Sequence, residues 1–226
     1  MIESALSIVI PVLNEAATIR SLLQALTPLR ARGAQVIVVD GASQDETMAL
    51  ALPLADKFIQ GPRGRARQMN AGAAVAQGSV LLFLHADTLL PEGADALVLA
   101  AMKTGATWGR FDVCIDGRSP VLALVASLMN IRSRLSGIAT GDQAIFVRRV
   151  TFEALGGFPD QPLMEDIELS KRLRRLAPPS CLRARVHTSG RRWETRGVWR
   201  TIALMWYLRW RYWRGESPER LARAYQ

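Results

Sequence analysis

The run Val80-Leu81-Leu82-Phe83-Leu84 is apolar throughout, is introduced by Gly78-Ser79 and ends abruptly in His85-Ala86-Asp87. A strand covered on both faces reads this way, because neither side has to meet water. A buried helix shares the lack of alternation, but the run is short for one. Strands of this kind belong to parallel sheets packed between helices, and such sheets bind ligands beyond the carboxyl ends of their strands. His85 and Asp87 stand at such an end. Asp87 also has a plainer reading, as the cap of a following helix opened by Pro91 and Glu92.

Upstream the same grammar repeats. Leu6 to Pro11 is a strand closed by proline, and Asn14 caps a helix whose Ile19, Leu22, Leu23 and Leu26 keep a helical period until Pro28 and Gly33. Val36 to Val39 is a second apolar strand, ending in Asp40-Gly41-Ala42-Ser43, and Asp45 and Glu46 open a helix that stops before Pro53. Lys57 to Gln60 is a third strand, residues 61–64 are a turn, and Arg65 to Ala76 is a helix. The alternation predicts an α/β fold with a mostly parallel, right-handedly connected sheet. Asn14-Glu15, Asp40 and Asp87 then stand at strand ends that can share one crevice. Asp40 has an alternative use in an Asx turn with Gly41 and Ser43. The first strand is followed by no Gly-x-Gly-x-x-Gly turn, and a Walker loop is missing. Phosphates would therefore be held by a metal and by side-chain cations, with Asp87 and Arg65 the candidates.

Further along, Glu92 to Met102 is a helix and Trp108 to Ile115 a strand. Pro120 to Leu128 passes into Asn130-Ile131-Arg132-Ser133-Arg134 and reads as a helix, core-packed or surface-seeking. Gly141 to Val147 enters another strand, with Asp142 and Gln143 just before it. Glu165-Asp166 opens a helix through Leu176, where early acidic residues suit the helix dipole. A strand over Leu182 to Thr188 carries His187 and leads to Arg191-Arg192-Trp193.

Charge is unevenly placed. Residues 1–170 hold 14 basic and 17 acidic residues, whereas 171–226 hold 15 and 3, so the final quarter carries +12 of the net +9. Such asymmetry favours an anionic partner. Val198 to Trp213 forms a helix on which Arg196, Arg200, Arg211 and Arg214 gather beside Tyr207, with Arg209 opposite. An arginine stripe against an aromatic face suits a helix lying on an anionic membrane surface, over residues 196–214. The competing reading packs its tryptophans into the core. Cys114 and Cys181 read as reduced thiols, and with no secretory signal visible the expected location is cytoplasmic, peripheral to the inner membrane face if that helix docks.

Taken together, Ile-Val-Ile-Pro-Val-Leu-Asn-Glu (8–15), Val-Val-Asp-Gly-Ala-Ser-Gln-Asp (38–45), Gly-Arg-Ala-Arg-Gln-Met-Asn-Ala-Gly (64–72), Leu-His-Ala-Asp-Thr (84–88) and Met-Glu-Asp-Ile-Glu-Leu (164–169) resemble the family 2 glycosyltransferases. The likeness is closest to a small bacterial branch with His-Ala-Asp in place of Asp-x-Asp. The resemblance, over about residues 6–176, implies a GT-A fold, Rossmann-like, with a mostly parallel mixed sheet; the domain is expected to run over 1–190, and the charge and aromatic pattern marks 191–226 as a basic, aromatic helical tail. It implies a nucleotide-binding half over about 1–90 and an acceptor half over about 91–190. The implied reaction is inverting transfer from a nucleotide sugar, a UDP-sugar, to an acceptor hydroxyl, assisted by Mn²⁺ or Mg²⁺ at Asp87. By resemblance Pro11, Asn14, Glu15 and Asp40 line the nucleoside pocket, and Arg65 and His85 face the nucleotide. Asp142 and Gln143 shape the acceptor pocket, and His187 and Arg192 close over the pyrophosphate. Asp166 is then the base that takes the acceptor's proton, with Glu165 beside it.

Competing readings are a nucleotidyltransferase, which calls for a glycine-rich basic loop after the first strand, and a non-catalytic module binding membrane or nucleic acid through the basic tail. The latter leaves Asp40, Asp87 and Asp166 idle, so no nucleic-acid partner is expected. Self-association stays open.

Overall fold

The structure, a computed structural model, describes residues 5–225, the side chain of Arg192 excepted. One sheet contains β1 (Leu6–Val12), β2 (Gln35–Asp40), β3 (Lys57–Gln60), β4 (Val80–Phe83), β5 (Thr88–Leu89), β6 (Trp108–Asp116), β7 (Phe146–Arg148) and β8 (Ser180–Ser189). Its order is β3-β2-β1-β4-β7-β6-β8-β5. The first four of these run parallel, and β6 pairs parallel with β8, whereas β7 and β5 pair antiparallel with their neighbours. The sheet is therefore mixed and mainly parallel, as expected.

Helices cover both faces. They are α1 (Ile19–Ala25), α2 (Thr27–Ala31), α3 (Thr47–Ala51), α4 (Arg65–Ala74), α5 (Ala94–Lys103), α6 (Val121–Ser136), α7 (Arg149–Ala154), α8 (Glu165–Leu176), α9 (Arg191–Arg196), α10 (Val198–Trp213) and α11 (Pro218–Tyr225). Ile8, Ile10, Val36, Val38 and Leu82 join one apolar layer, and Val9, Ile37, Val39, Leu81 and Phe83 the other. Successive strand residues point to opposite faces, so a sheet buried on both sides needs unbroken apolar runs.

Two local features open a crevice at the carboxyl edge. The Leu84 amide donates to the Val9 carbonyl at 3.0 Å. The next rung of a parallel ladder would need an N–H from Pro11, which has none, so β4 leaves β1 at this level. Behind the crevice, α4 lies directly on the sheet at Gly72, where a Cβ would sit 2.4 Å from Val9 Cγ1. Gln68, one turn earlier on the same helix, donates from Nε2 to the carbonyls of Val12 and Val39 at 2.8 Å each and fastens the ends of β1 and β2 together.

Several expectations are corrected. Asn14 caps no helix. It has φ 55°, and its side-chain oxygen accepts from the Gln44 amide at 2.8 Å, tying the loop after β1 to the loop after β2. Asparagine tolerates this left-handed backbone better than most residues. Pro28 starts α2 rather than ending a longer helix, because proline suits a first helical turn. Asp142 and Gln143 do stand just before β7, in a 3-10 turn over residues 141–143. The short elements β5, α7, α9 and α11 carry no periodic signal long enough to read.

The tail is no loose appendage. Leu208 of α10 and Leu221 of α11 are buried with Met164 and Ile167 at the start of α8. The tryptophans do not supply that core. Trp199, Trp206 and Trp213 are 72%, 74% and 79% exposed, because Thr201 and Leu208 form the inward face of α10. No helix among the described residues is long and apolar enough to cross a membrane.

Candidate active site

At the end of β4 the chain turns through His85 and Asp87 before β5. His85 is buried, with Nδ1 3.2 Å from Asp142 Oδ1. Its ring rests on the backbone of Gly141, where a Cβ would lie 2.3 Å from the imidazole. Asp87 is half-buried, and the Thr88 hydroxyl donates to its Oδ1 at a long 3.4 Å.

Opposite stands the start of α8. Met164 holds a left-handed backbone at φ 65°, which aims the next two carboxylates inward from the first turn. Such a conformation in a non-glycine residue is sparsely populated and collects at functional sites. Asp166 is held by two backbone amides, Oδ2 accepting from Gly141 at 2.8 Å and Oδ1 from Ile167 at 2.7 Å. A carboxylate offers about four lone-pair directions, so each oxygen keeps one for a ligand.

Glu165 is 4% exposed, and Arg65 Nη1 lies 3.9 Å from its Oε1. Burial first, and then the Asp166 charge, push the Glu165 carboxyl above the usual range, against the pull of Arg65 and His85. For Arg65 desolvation works against the charge, but Glu165, Asp142, Asp166 and Asp87 outweigh it and raise its pKa. Arg65 is thus a fixed cation set among carboxylates. Because folded Glu165 holds its proton to higher pH than unfolded Glu165, its contribution to stability is present below the unfolded pKa and is lost as pH rises through the folded one. Glu165→Gln should therefore gain stability on the wild type as pH rises above the ordinary carboxylate range. Melting curves of both proteins across that rise check the sign.

Two adjoining hollows meet here. One is walled by Arg65, His85, Asp87, Asp142, Glu165 and Asp166, and the tail adds Trp193, Arg209 and Tyr225. The other is walled by Pro11, Glu15, Arg65, His85, Asp87, Arg191 and Arg196. Asp87 and Asp166 therefore converge on one cavity, with Arg65 and His85 common to both hollows.

Other expected site residues sit elsewhere. Asp40 is 2% exposed and lines neither hollow; its Oδ2 accepts from the amides of Ala42 and Ser43 at 3.1 and 3.0 Å, and its Oδ1 from the Ser43 hydroxyl. The Asx turn takes three of the roughly four lone-pair directions of this carboxylate. Asn14 is exposed and braces the neighbouring loop. Gln143 is fully buried, its Oε1 accepting from the Thr140 amide at 3.2 Å, and it lines neither hollow. His187 is exposed, with Nδ1 2.9 Å from Asp116 Oδ1, outside both hollows. The Arg192 side chain lies outside the described residues. The tail cations that do reach the hollows are Arg191, Arg196 and Arg209. The +12 balance pointed toward the tail as a whole, and helical spacing set Arg209 apart from the other arginines of α10.

A divalent ion can be tested against these donors. Among the described residues the three-ligand grouping of His, Cys and carboxylates is Cys114, Asp116 and His187, which lines neither hollow, although Asp116 and His187 share a third one with Asp87. At the crevice Asp87 offers its carboxylate, and His85 meets Asp142 through Nδ1 alone. One carboxylate fits Mg²⁺ or Mn²⁺ when substrate phosphates complete the shell, and would not fit a closed all-protein cage.

Comparison with known proteins agrees with the architecture. Residues 7–147 match the model of Glycosyl transferase family 2. Probable glycosyltransferase YdaM of Bacillus subtilis is 31% identical over 194 residues, covering 74% of this chain and 46% of that protein. The chain thus spans under half of that relative. Among solved structures, S. aureus TarS 1-349 in complex with UDP superposes with TM-score 0.66 at 17% identity, over 81% of this chain and 60% of that one. Mannosyltransferase PcManGT from Pyrobaculum calidifontis, in complex with GDP-Man and Mn²⁺, gives 0.61 at 21% identity, over 81% and 56%. With a family model spanning well over half of its residues and a sheet of this topology, the chain belongs to Glycosyl transferase family 2.

Proposed function

We propose that this chain is an inverting glycosyltransferase that moves a sugar from a UDP-sugar to an acceptor hydroxyl. The observation that carries the reading is the paired hollow, with Arg65 and Asp87 at the junction and Asp166 in one wall. The diphosphate lies beside Arg65, and the nucleoside extends along Pro11 and Glu15. Bound at Asp87, Mn²⁺ or Mg²⁺ would neutralise charge gathering on the leaving diphosphate. Asp166 takes the acceptor's proton as its oxygen bonds to the anomeric carbon. The bond from that carbon to the diphosphate oxygen breaks, and its electrons leave with the nucleoside diphosphate. A single displacement inverts the anomeric centre.

UDP with Mn²⁺ should raise the melting temperature by about 5–10 °C when present at a hundred times its Kd. Asp87→Asn should remove the Mn²⁺-dependent part and keep the rest. No UDP-dependent rise would refute the reading, and an α/β mixture in the product, read by NMR, would refute inversion.

A second reading concerns α10. Its exposed tryptophans form an outward stripe opposite Leu208, flanked by Arg200, Arg211 and Arg214. An aromatic face with a basic flank suits docking on an anionic membrane surface. The protein should co-sediment with phosphatidylglycerol vesicles, and the Trp206→Ala, Trp210→Ala double variant should not.

A further inference from the structure

The sheet brings a thiol, an imidazole and a carboxylate to one outward face of β6 and β8. At the end of β6 the burial alternates: Val113 and Ile115 turn into the core, and Cys114 and Asp116 turn outward. β8 runs parallel to it, in a register that sets His187 beside Cys114 and Ser189 beside Asp116. Paired residues of neighbouring strands point to the same face, so His187, outward between buried Val186 and Thr188, joins the other two. The His187 Nδ1 lies 2.9 Å from Asp116 Oδ1, and the Cys114 Sγ lies 3.9 Å from the same oxygen. The ligand atoms of all three residues fall within 4.8 Å of one another. Cys114 is half-buried, whereas Asp116 and His187 are exposed, so the cluster is open to solvent on one side.

Four-coordinate Zn²⁺ takes sulfur at about 2.3 Å and nitrogen or oxygen at about 2.0–2.2 Å, which puts neighbouring ligand atoms roughly 3.3–3.6 Å apart. The two separations from Asp116 Oδ1 straddle that spacing. A thiolate beside an imidazole selects a borderline or soft ion, whereas Mg²⁺ and Mn²⁺ prefer oxygen ligands. We propose that Cys114, Asp116 and His187 form a binding site for Zn²⁺ or a like transition-metal ion, with water in the fourth position. Binding expels the Cys114 thiol proton to solvent, and His187 coordinates as the neutral imidazole. Asp116 and His187 share a hollow with Asp87, whose carbonyl accepts from the Ser189 amide at 3.0 Å. The Asp116 carbonyl accepts from the Gly190 amide at 2.7 Å. An ion joining β6 to β8 therefore fastens the strand ends from which α9 departs, carrying Arg191 and Arg196 to the second hollow. The assignment stands on these three ligands and does not depend on the transferase reading.

The test titrates Co²⁺, a spectroscopic stand-in for Zn²⁺, into the full reduced chain in excess Mg²⁺, which occupies hard oxygen sites and competes poorly for a thiolate. One equivalent should build a near-ultraviolet thiolate-to-cobalt charge-transfer band and the strong visible bands of four-coordinate Co²⁺, and Zn²⁺ should erase both. Cys114→Ser should abolish the charge-transfer band, and His187→Ala and Asp116→Asn should each weaken Co²⁺ at least tenfold. His187 and Asp116 are exposed, so their variants fold and carry the test even if Cys114→Ser does not. Cys181→Ser should bind as the wild type does, since Cys181 lies outside the cluster, with Sγ 3.7 Å from the Pro179 carbonyl. In the same Mg²⁺ buffer, Zn²⁺ at a hundred times its Kd should raise the wild-type melting temperature by about 5–10 °C and leave that of Cys114→Ser unmoved. The proposal falls if the wild type shows no thiolate band, if the band survives Cys114→Ser, or if both exposed-ligand variants bind Co²⁺ as tightly as the wild type.

Discussion

Asp166→Asn should lower turnover about a thousandfold while leaving UDP affinity at the wild-type value, since a positioned general base contributes roughly 10²–10⁴-fold. The amide keeps the shape of the carboxylate but cannot accept a proton. Its oxygen can serve only one of the two amides, Gly141 at 2.8 Å or Ile167 at 2.7 Å, that the carboxylate now satisfies together. A modest loss of stability, about 1 kcal/mol, should therefore accompany the loss of rate. Measuring kcat, nucleotide affinity and melting temperature on one preparation separates the effects. Wild-type turnover in Asp166→Asn would remove the base from Asp166, and Glu165, nearly buried and already biased toward its protonated form, would be a poor replacement. An equal fall in UDP affinity would instead mean that Asp166 shapes the donor hollow.

The half of the site on the sheet was legible because strand physics is local. An apolar run covered on both faces must end where the chain leaves the sheet, so His85 and Asp87 declared themselves by position. Glu165 and Asp166 stood out only through the family resemblance, since acidic residues at a helix start suit the dipole in any case. Asp40 shows the limit of that reasoning. A short carboxylate at a strand end can face the crevice or fold back onto its own turn, and here the amides of Ala42 and Ser43 claim it. Gln143 sank beneath the 3-10 turn for a similar reason. Arg132 stood in view in Asn130-Ile131-Arg132-Ser133-Arg134, but no local signal gave it a role. The placement of Arg209 depends on Leu208 and Leu221 docking against Met164 and Ile167, which is a tertiary fact with no local signature. Helical spacing did separate Arg209 from the other arginines of α10, and the structure turns that odd residue toward the cavity.

Gly141→Ala should be nearly as damaging as loss of the base, although it removes no functional group. An alanine Cβ at this position would lie 2.3 Å from Cε1 and Nε2 of His85, inside any tolerable contact. The ring has little room to retreat, since His85 is only 8% exposed. The turn must yield instead, and it carries two parts of the site. Its amide at Gly141 holds Asp166, and its next residue, Asp142, meets His85 at 3.2 Å. A shift of about 1 Å in a catalytic group can cost on the order of a hundredfold in rate. The variant should accordingly lose about a hundredfold in kcat/KM and about 1–3 kcal/mol of stability from overpacking. Pairing it with His85→Ala gives the decisive measurement. The smaller side chain relieves the clash, so the double variant should recover stability over Gly141→Ala alone, and a double-mutant cycle should show strong coupling between the positions. Additive losses would mean that the turn tolerates a side chain and that the close contact of ring and backbone has no part in holding Asp166 in place.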